Sequence, residues 1–487
     1  MHGGNLSIFP KKLRVVIANE IDCGCLDPDL KLQTEAVTGP HLDHPNCRPP
    51  PVLAREGITC SHQFIWTNNY NKIMAIDYVH MHLITCGTLF QGTCEKRFLS
   101  NISSMEPRDY TTAVVNHFND SSTVAFIAPG PAINSTQPNV LYVAQTHRKQ
   151  FFADLPALIT RKLSDFTIAF EDQIFYRGSH LKLDVRLHEK FRITYIYGFS
   201  SGGFSYFLAR QPRNSDDPYK GNHTVLIRLC QNDERYQSYT EVPLLCRMNG
   251  TTYNMVQVAA IGTAGRELAL SMNVTLRSKV LYTVFTGGPG SSGQSVFCLY
   301  SLDAINSFIT ESWRACFRGE GYYGGGHLNS AKKCSRNTEH PIDENYCGQV
   351  QSNNPLGISN PIVANALLSV PEDPKRAVTA LGVSITHAQT VAFAGTSNGR
   401  VLKIAVSSNT SANVYETASI APGESFRSDL AFDEDGGHLY LLTNSKCTSL
   451  VPHPTGERVL SSAPLDPVHR PSNPPPGRNG YSRSRSN

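Results

Sequence analysis

The chain has 487 residues, and its 44 Lys and Arg against 40 Asp and Glu leave a formal net charge of +4. So small a charge on so long a chain creates no strong basic field, which argues against nucleic acid as a partner. The length suits one large β architecture or two to three ordinary domains.

Thirteen cysteines occur in close pairs between long cysteine-free stretches, a pattern typical of an oxidised, extracellular protein. N-x-S/T sequons point the same way; they lie at Asn5, Asn101, Asn119, Asn134, Asn222, Asn249, Asn273 and Asn409. The sequence opens without the pattern of a signal peptide, and no run of about 18 apolar residues occurs. We therefore expect an extracellular piece, secreted or joined to the plasma membrane only through a segment absent from this chain.

Near the N-terminus, the stretch HLDHPNC places His41, His44 and Cys47 three residues apart. A zinc site can be drawn from these residues, but structural zinc sites usually carry a second, matching C-x2-4-C knuckle. The downstream Cys60 favours a disulfide loop instead.

Short apolar and aromatic runs bounded by turn signals recur through most of the chain and predict strands. They include KIMAIDY, HLITCGTLF, TVAFIAP, NVLYVAQT, TVLIRLC, MVQVAAIG, VLYTVFTG, TVAFAGTS and RVLKIAV. The last two join through Asn398-Gly399, a strong hairpin signal. Repeated hairpins favour a sandwich, a barrel or a propeller, and the absence of an interior linker favours one propeller of seven blades, at about 40 to 50 residues a blade.

Other candidate sites in these runs are weak. His80 and His82 share one face of a strand, but no third ligand is evident. The glycine-rich stretches 287–293 and 321–327 lack the Gly-Lys-Ser/Thr ending of a phosphate loop. We therefore expect no metal and no cofactor.

The stretch GFSSG, residues 198–202, spells the G-x-S-x-G of a serine hydrolase, with Ser200 as the nucleophile. That motif works only where a strand turns sharply into a helix. Here YIYGF and FSYFLA flank the turn with strand-like patterns, so we expect a hairpin and no enzyme activity.

Two regions break the strand pattern. Residues 301–368 begin with the helical spacing of Leu302, Ile305 and Ile309, followed by a glycine-rich loop with cysteines, which predicts an insertion held by disulfides. Residues 451–487 are rich in Pro, Ser and Arg, which cannot bury a core, so we expect a disordered tail.

The stretch NNYNKIMAIDYVHMHLITCGTLFQGTCEKRFL resembles the second-blade signature of plexin sema domains. The resemblance continues through YIYGFSSGGFSYFLARQP, RLCQNDERYQSYTEVPLLC, CFRGEG and HPIDENYCG, and it covers roughly residues 27–445. The last two strings are most similar to class A plexins.

The resemblance implies an all-β fold, a seven-bladed sema propeller over residues 27–450, after an unmatched segment 1–26. It also implies that residues 301–368 are an extrusion module pinned by disulfides. The family's cysteine pairing, transferred to the matching positions, is Cys47–Cys60, Cys86–Cys94, Cys230–Cys347, Cys246–Cys298 and Cys316–Cys334. Three cysteines have no partner in that scheme: Cys23, Cys25 and Cys447.

The function implied by the resemblance is a non-enzymatic ectodomain that binds the sema domain of a semaphorin and acts in axon guidance and cell-surface signalling. Other sema-domain receptors or co-receptors are further expected partners. We expect contacts within residues 170–207 and 335–343, with Asn337 as a ligand-binding residue. We expect glycans on the sequon asparagines other than Asn5.

Two other hypotheses stay open. The first is that the chain is a truncated or soluble plexin fragment that does not signal, either a decoy or an incomplete gene model. The second is that it is a propeller hydrolase that uses Ser200.

Overall fold

The computed structural model describes residues 36–450 and 459–460, apart from 58, 133–135, 151–153, 173–176, 189, 220, 288–293, 324–326, 329–331, 337–341, 348–355, 371–376, 429, 434–435 and 444–446. Strands dominate these residues. A short ribbon and a helix come first: β1 (His41–Asp43), α1 (Pro50–Glu56) and β2 (Ile65–Thr67), with β1 antiparallel to β2.

Two four-stranded antiparallel sheets follow. The first contains β3 (Asn71–Asp77), β4 (His82–Gly87), β5 (Cys94–Phe98) and β6 (Asn101–Met105). The next elements are β7 (Thr123–Pro129), β8 (Asn139–Gln145), β9 (Leu158–Lys162), β10 (Glu171–Asp172), β11 (Arg177–Gly178) and β12 (His180–Leu181). The second sheet has the order β12-β9-β8-β7, while β10 and β11 form a separate ribbon beside it. A 3-10 turn at Val185–Leu187 leads to the third sheet.

The third and fourth sheets share the inserted segment. The strands are β13 (Thr194–Ser201), β14 (Phe204–Pro212), β15 (Asn222–Cys230), β16 (Thr240–Met248) and β17 (Thr251–Tyr253), then β18 (Met255–Thr263), α2 (Arg266–Met272), β19 (Lys279–Thr286) and β20 (Ser295–Ser301). The insertion contributes α3 (Leu302–Phe317), β21 (Tyr322–Tyr323), β22 (Lys332–Lys333), β23 (Leu356–Gly357), β24 (Ile362–Asn365) and β25 (Leu368–Val370). Strands β23 and β24 add in parallel to β16, and β25 adds to β20.

Two more four-stranded sheets complete the described chain. They contain β26 (Val378–Thr386), β27 (Gln389–Thr396), β28 (Arg400–Ser408) and β29 (Ser411–Ser419), then β30 (Leu430–Phe432), β31 (Leu439–Leu442), β32 (Cys447–Leu450) and β33 (Val459–Leu460). The domain bounds proposed above stay a prediction.

The prediction of seven blades is wrong, whereas the all-β class is correct. The described residues form five four-stranded blades and one sheet of seven strands, β13–β17 with β23 and β24. The length argument assigned one blade to every 40 to 50 residues or so. The described residues between β20 and β26 do not obey it, because they form a helix, a separate two-stranded ribbon and short strands that join existing sheets.

The first strands of successive sheets, β3, β7, β13, β18, β26 and β30, contact one another in chain order and line the centre. Apolar side chains fill the space between neighbouring sheets, as where Tyr142 and Phe126 of the second meet Phe207 of the third. Strands buried on both faces show continuous apolar runs, as in NVLYVAQ of β8.

In an antiparallel blade, successive turns lie at opposite ends of the sheet. We define the first-turn face by the connections that follow the first strands, such as residues 78–81 and 202–203. The opposite face contains the connections between the second and third strands, such as residues 146–150 and 154–157.

Candidate interaction surface

A rigid turn on the first-turn face presents apolar side chains to solvent. The Asp77 carboxylate accepts hydrogen bonds from the backbone N–H groups of Val79, at 3.0 Å, and His80, at 3.2 Å. Its second oxygen lies 2.7 Å from Nδ1 of His80. With the backbone fixed in this way, Val79 is 67% exposed and Met81 is 49% exposed. An exposed apolar cluster on a fixed turn is typical of an interaction site.

A cavity of about 260 Å³ opens beside this turn, between the first two blades and the loop that follows β15. Its apolar walls include Pro131, Val140, Leu163 and Phe170, and its polar lining includes His80, Lys162 and Glu234. An apolar floor with a few polar groups suits the insertion of a partner's apolar side chain.

Phe170, which lines the cavity, directly precedes the ribbon of β10 and β11. The Phe170 carbonyl accepts a hydrogen bond from the Ser179 N–H at 2.9 Å. The Arg235 guanidinium lies 5.4 Å from the centre of the Phe170 ring, within the range of a cation–π contact. It also lies 3.5 Å from Oδ2 of Asp172. Arg235 therefore connects the ribbon to the loop after β15.

That loop is held by one buried carboxylate. Asp233 accepts hydrogen bonds from the N–H and Oγ of Ser238, at 2.6 and 2.7 Å, and from the N–H of Arg235 at 3.0 Å. Burial raises the pKa of Asp233, although these hydrogen bonds act in the opposite direction. The Tyr236 hydroxyl lies 2.7 Å from Oγ1 of Thr160 in the second blade. The loop therefore presents Glu234 and Arg235 from a fixed backbone.

The inserted segment packs on the seven-stranded sheet beside this loop. Ser301 caps α3 by accepting a hydrogen bond from the Ala304 N–H at 3.3 Å. Trp313 is buried, and its Nε1–H donates to Oγ1 of Thr240 at 2.9 Å. Leu302, Ile305 and Ile309 face the same core, as the helical spacing predicts.

A buried polar cluster joins the insertion to β16. Glu241 accepts hydrogen bonds from Nε2 of Gln211, at 2.9 Å, and from the Tyr239 hydroxyl at 2.6 Å. His327 of the insertion places Nε2 2.9 Å from Oε1 of the same carboxylate. Burial by itself raises the pKa of Glu241, but His327, Tyr239 and Gln211 lower it below its ordinary value.

Ser200 lies in a hairpin, as the flanking patterns predict. Strands β13 and β14 pair up to Ser201 and Phe204, so a strand and not a helix follows the turn. The Ser200 hydroxyl accepts a hydrogen bond from Nε2 of Gln231 at 2.7 Å. The strand–turn–helix context of a nucleophile elbow is not present here.

The cysteine side chains form five disulfides within the described residues, and these are the pairs that the resemblance implies. They are Cys47–Cys60, Cys86–Cys94, Cys230–Cys347, Cys246–Cys298 and Cys316–Cys334. The first bond removes Cys47 from the zinc site drawn above, and the ring of His44 stacks on His62 at 4.6 Å instead. Cys23, Cys25 and the side chain of Cys447 lie outside the described residues.

The sequon asparagines differ in exposure. Five of the described sequon residues are exposed, namely Asn119, Asn222, Asn249, Asn273 and Asn409, and Asn101 is half-buried. Asn5 and Asn134 lie outside the described residues. Glycosylation at these positions stays a prediction.

The expected contact ranges are split between the two faces and the core. Phe170 lies in the cavity, while Tyr195 and Phe207 are fully buried. Asn337 lies outside the described residues, and Ser335 beside that gap is exposed.

Sequence reasoning missed the apolar turn of the first blade. The signal was the string DYVHM, in which apolar residues follow Asp77 at a point where the strand pattern ends. His82, read as half of a histidine pair, instead lies 3.3 Å from the Glu106 carboxylate.

The Sema domain family matches residues 256–433 of this chain. Plexin-A4 of Danio rerio is 32% identical over 451 residues, covering 87% of this chain and 23% of the relative. The chain therefore spans less than a quarter of that relative's length. The solved extracellular region of plexin A4 superposes with a TM-score of 0.78 at 27% identity, over 90% of this chain and 39% of that one.

The chain belongs to the plexin sema domains. A structure of Drosophila plexin A in complex with semaphorin 1b shares the fold of this sema domain, with a TM-score of 0.51 at 15% identity, over 83% of this chain and 76% of that one. Among the residues described for this sema domain, no helix has the length and apolarity that crossing a membrane requires.

Proposed function

We propose that this sema domain is the extracellular, ligand-binding part of a plexin-like receptor and that its ligand is the sema domain of a semaphorin. The observation that carries the proposal is the likeness to the plexin A4 extracellular region, which extends over 90% of this chain. A solved structure that shares the fold contains Drosophila plexin A in complex with semaphorin 1b, which supports the choice of ligand. In this proposal the whole receptor acts in axon guidance and cell-surface signalling.

We assign the contact to the first-turn face. Its apolar turn at Val79 and Met81, the adjacent cavity, and Glu234 and Arg235 on their fixed loop together offer an apolar centre with a charged rim. Protein interfaces commonly have this composition, and arginine is enriched among the residues that dominate binding.

The test is surface plasmon resonance between the full chain and a panel of semaphorin ectodomains. We expect Val79→Glu and Arg235→Glu each to weaken binding at least tenfold, because both place negative charge at the contact. Tyr219→Glu is the matched control, since Tyr219 is 84% exposed and lies between β14 and β15 on the opposite face. Thermal unfolding of each variant checks that the fold is intact.

Two results would contradict the proposal at different levels. If the folded wild-type chain binds none of the semaphorins, the receptor function is wrong. If it binds but both variants bind equally well, the contact lies elsewhere. Asn337→Glu then tests the inserted segment, where the sequence predicted a contact.

A further inference from the structure

Three potential metal ligands meet on the face opposite the proposed semaphorin contact. His147 follows β8, Asp154 precedes β9, and His188 follows the 3-10 turn Val185–Leu187. One ligand atom from each of the three lies within 4.8 Å of the others. The two imidazole rings are 4.0 Å apart between centres. The ligands thus come from two segments: the connection between β8 and β9 supplies His147 and Asp154, and the linker that precedes β13 supplies His188.

Hydrogen bonds determine which nitrogen each histidine offers. Nδ1 of His147 lies 3.1 Å from the carbonyl oxygen of Leu155, and Nε2 of His188 lies 3.2 Å from that of Leu183. A carbonyl can only accept, so these two nitrogens carry the protons. The lone pairs are therefore on Nε2 of His147 and Nδ1 of His188. Histidines that bind metals commonly have their other N–H anchored in this way.

A hydrogen bond connects the two segments that carry the histidine rings. Next to His147, the Thr146 hydroxyl donates to the carbonyl of Ile193 at 2.8 Å, which ties this connection to the segment after His188. His147 itself is buried. Asp154 is exposed, so its side chain can rotate toward the rings at little cost. Ligands around a tetrahedral zinc at about 2.0–2.2 Å lie roughly 3.4 Å apart, so small side-chain shifts from the observed separations, all within 4.8 Å, close the set.

We propose that His147, Asp154 and His188 bind one Zn²⁺ ion. Two imidazoles and a carboxylate are a common zinc set, and three protein ligands leave a fourth position for water or another ligand. Imidazole nitrogens also disfavour Mg²⁺ and Ca²⁺, which prefer oxygen ligands. Bound zinc would connect the residues around His147 and Asp154 to the linker that precedes β13. This site is independent of the proposed semaphorin contact.

The test is isothermal titration calorimetry of the full chain, produced without a histidine tag and treated with a chelator, against Zn²⁺ and separately Mg²⁺. We expect the wild type to bind one equivalent of zinc and no Mg²⁺. Asp154→Asn and His188→Ala should each weaken the affinity for zinc at least tenfold. Zinc should also raise the melting temperature of the wild type more than that of either variant. His80→Ala is the matched control, since it removes a histidine beside the Asp77 carboxylate on the other face.

Absence of zinc binding by the wild type overturns the proposal. So does binding that is unchanged in Asp154→Asn, an exposed position at which the substitution leaves the fold intact. If His80→Ala abolishes zinc binding, the ion binds elsewhere, and the proposal is again overturned.

Discussion

At the scale of single residues, Glu241 is the polar group that matters most where the inserted segment contacts β16. A buried carboxylate is costly unless hydrogen bonds and an opposite charge compensate it. Glu241 has Gln211, Tyr239 and His327 as partners, and together they lower its pKa although burial acts in the opposite direction. The charged form is therefore the one that stabilises the fold.

We expect Glu241→Gln to lower the free energy of unfolding by about 1–3 kcal/mol at neutral pH, because His327 loses its charged partner. A carboxyl whose pKa is lower in the folded chain stabilises it above the unfolded pKa, and this contribution is lost as the pH falls through the folded value. The wild type should therefore lose stability on acidification below the ordinary pKa of glutamate, and the variant should lose less. Urea unfolding at neutral and acidic pH measures how the stability of each protein depends on pH.

The control for this prediction is Glu320→Gln, which removes an exposed carboxylate paired with Arg318. Exposed pairs contribute little to stability. Equal pH dependence of wild type and Glu241→Gln would show that the buried carboxylate does not govern acid stability.

Residues such as these could not be predicted from the sequence. Glu241 and His327 are far apart in the chain, and neither belongs to a motif. His147, Asp154 and His188 likewise meet only because two connections of the fold converge. The apolar turn at Val79 could have been predicted from the sequence, because its signal is local.

At the scale of elements, hairpins were the most predictable feature, because their signals are contiguous. The turn at Asn398-Gly399 joins β27 to β28 as the sequence predicts. Gly399 has φ +78°, and a Cβ there would collide with the carbonyl oxygen of Ala421. Gly202, in the hairpin after Ser200, has φ +57° but open space around it. The two glycines share backbone conformation and differ in surroundings.

We expect Gly202→Ala to cost about 1–2 kcal/mol, from the left-handed backbone alone. Gly399→Ala should cost clearly more, because the collision adds to the same backbone penalty. Chemical denaturation of both variants separates the two contributions. Equal losses would mean that the turn shifts freely and that the Ala421 contact does not constrain it.

The pairing of the inserted strands was not predictable at this scale. Strands β23 and β24 are only two and four residues long, and they pair in parallel with β16, which lies more than a hundred residues earlier. Short strands with distant partners carry almost no local signal. This is the physical reason why the number of blades was wrong while the fold class was right.

At the scale of the whole molecule, the disulfides close loops of very different lengths. Cys230–Cys347 closes a loop with a sequence separation of 117, whereas Cys86–Cys94 closes one of 8. In the chain-entropy account, the longer loop restricts the unfolded chain more. The pairing itself was within reach from the family resemblance and not from spacing alone.

We expect the double variant Cys230→Ser with Cys347→Ser to lose about 4.9 kcal/mol of unfolding free energy. The matched variant Cys86→Ser with Cys94→Ser should lose about 2.5 kcal/mol by the same relation. Urea unfolding under non-reducing conditions measures both. A larger loss for the short loop would mean that local packing, and not chain entropy, determines what these bonds contribute.

The parallel pairing of β23 and β24 with β16 has a further consequence. A strand at the margin of a sheet exposes a row of N–H and C=O groups that a second molecule can extend, which is a common route to aggregation. Here the inserted segment occupies positions on β16 from Thr240 to Arg247. The insertion therefore covers the edge of β16 and protects it from pairing with a second molecule, and the Cys230–Cys347 bond holds the insertion there.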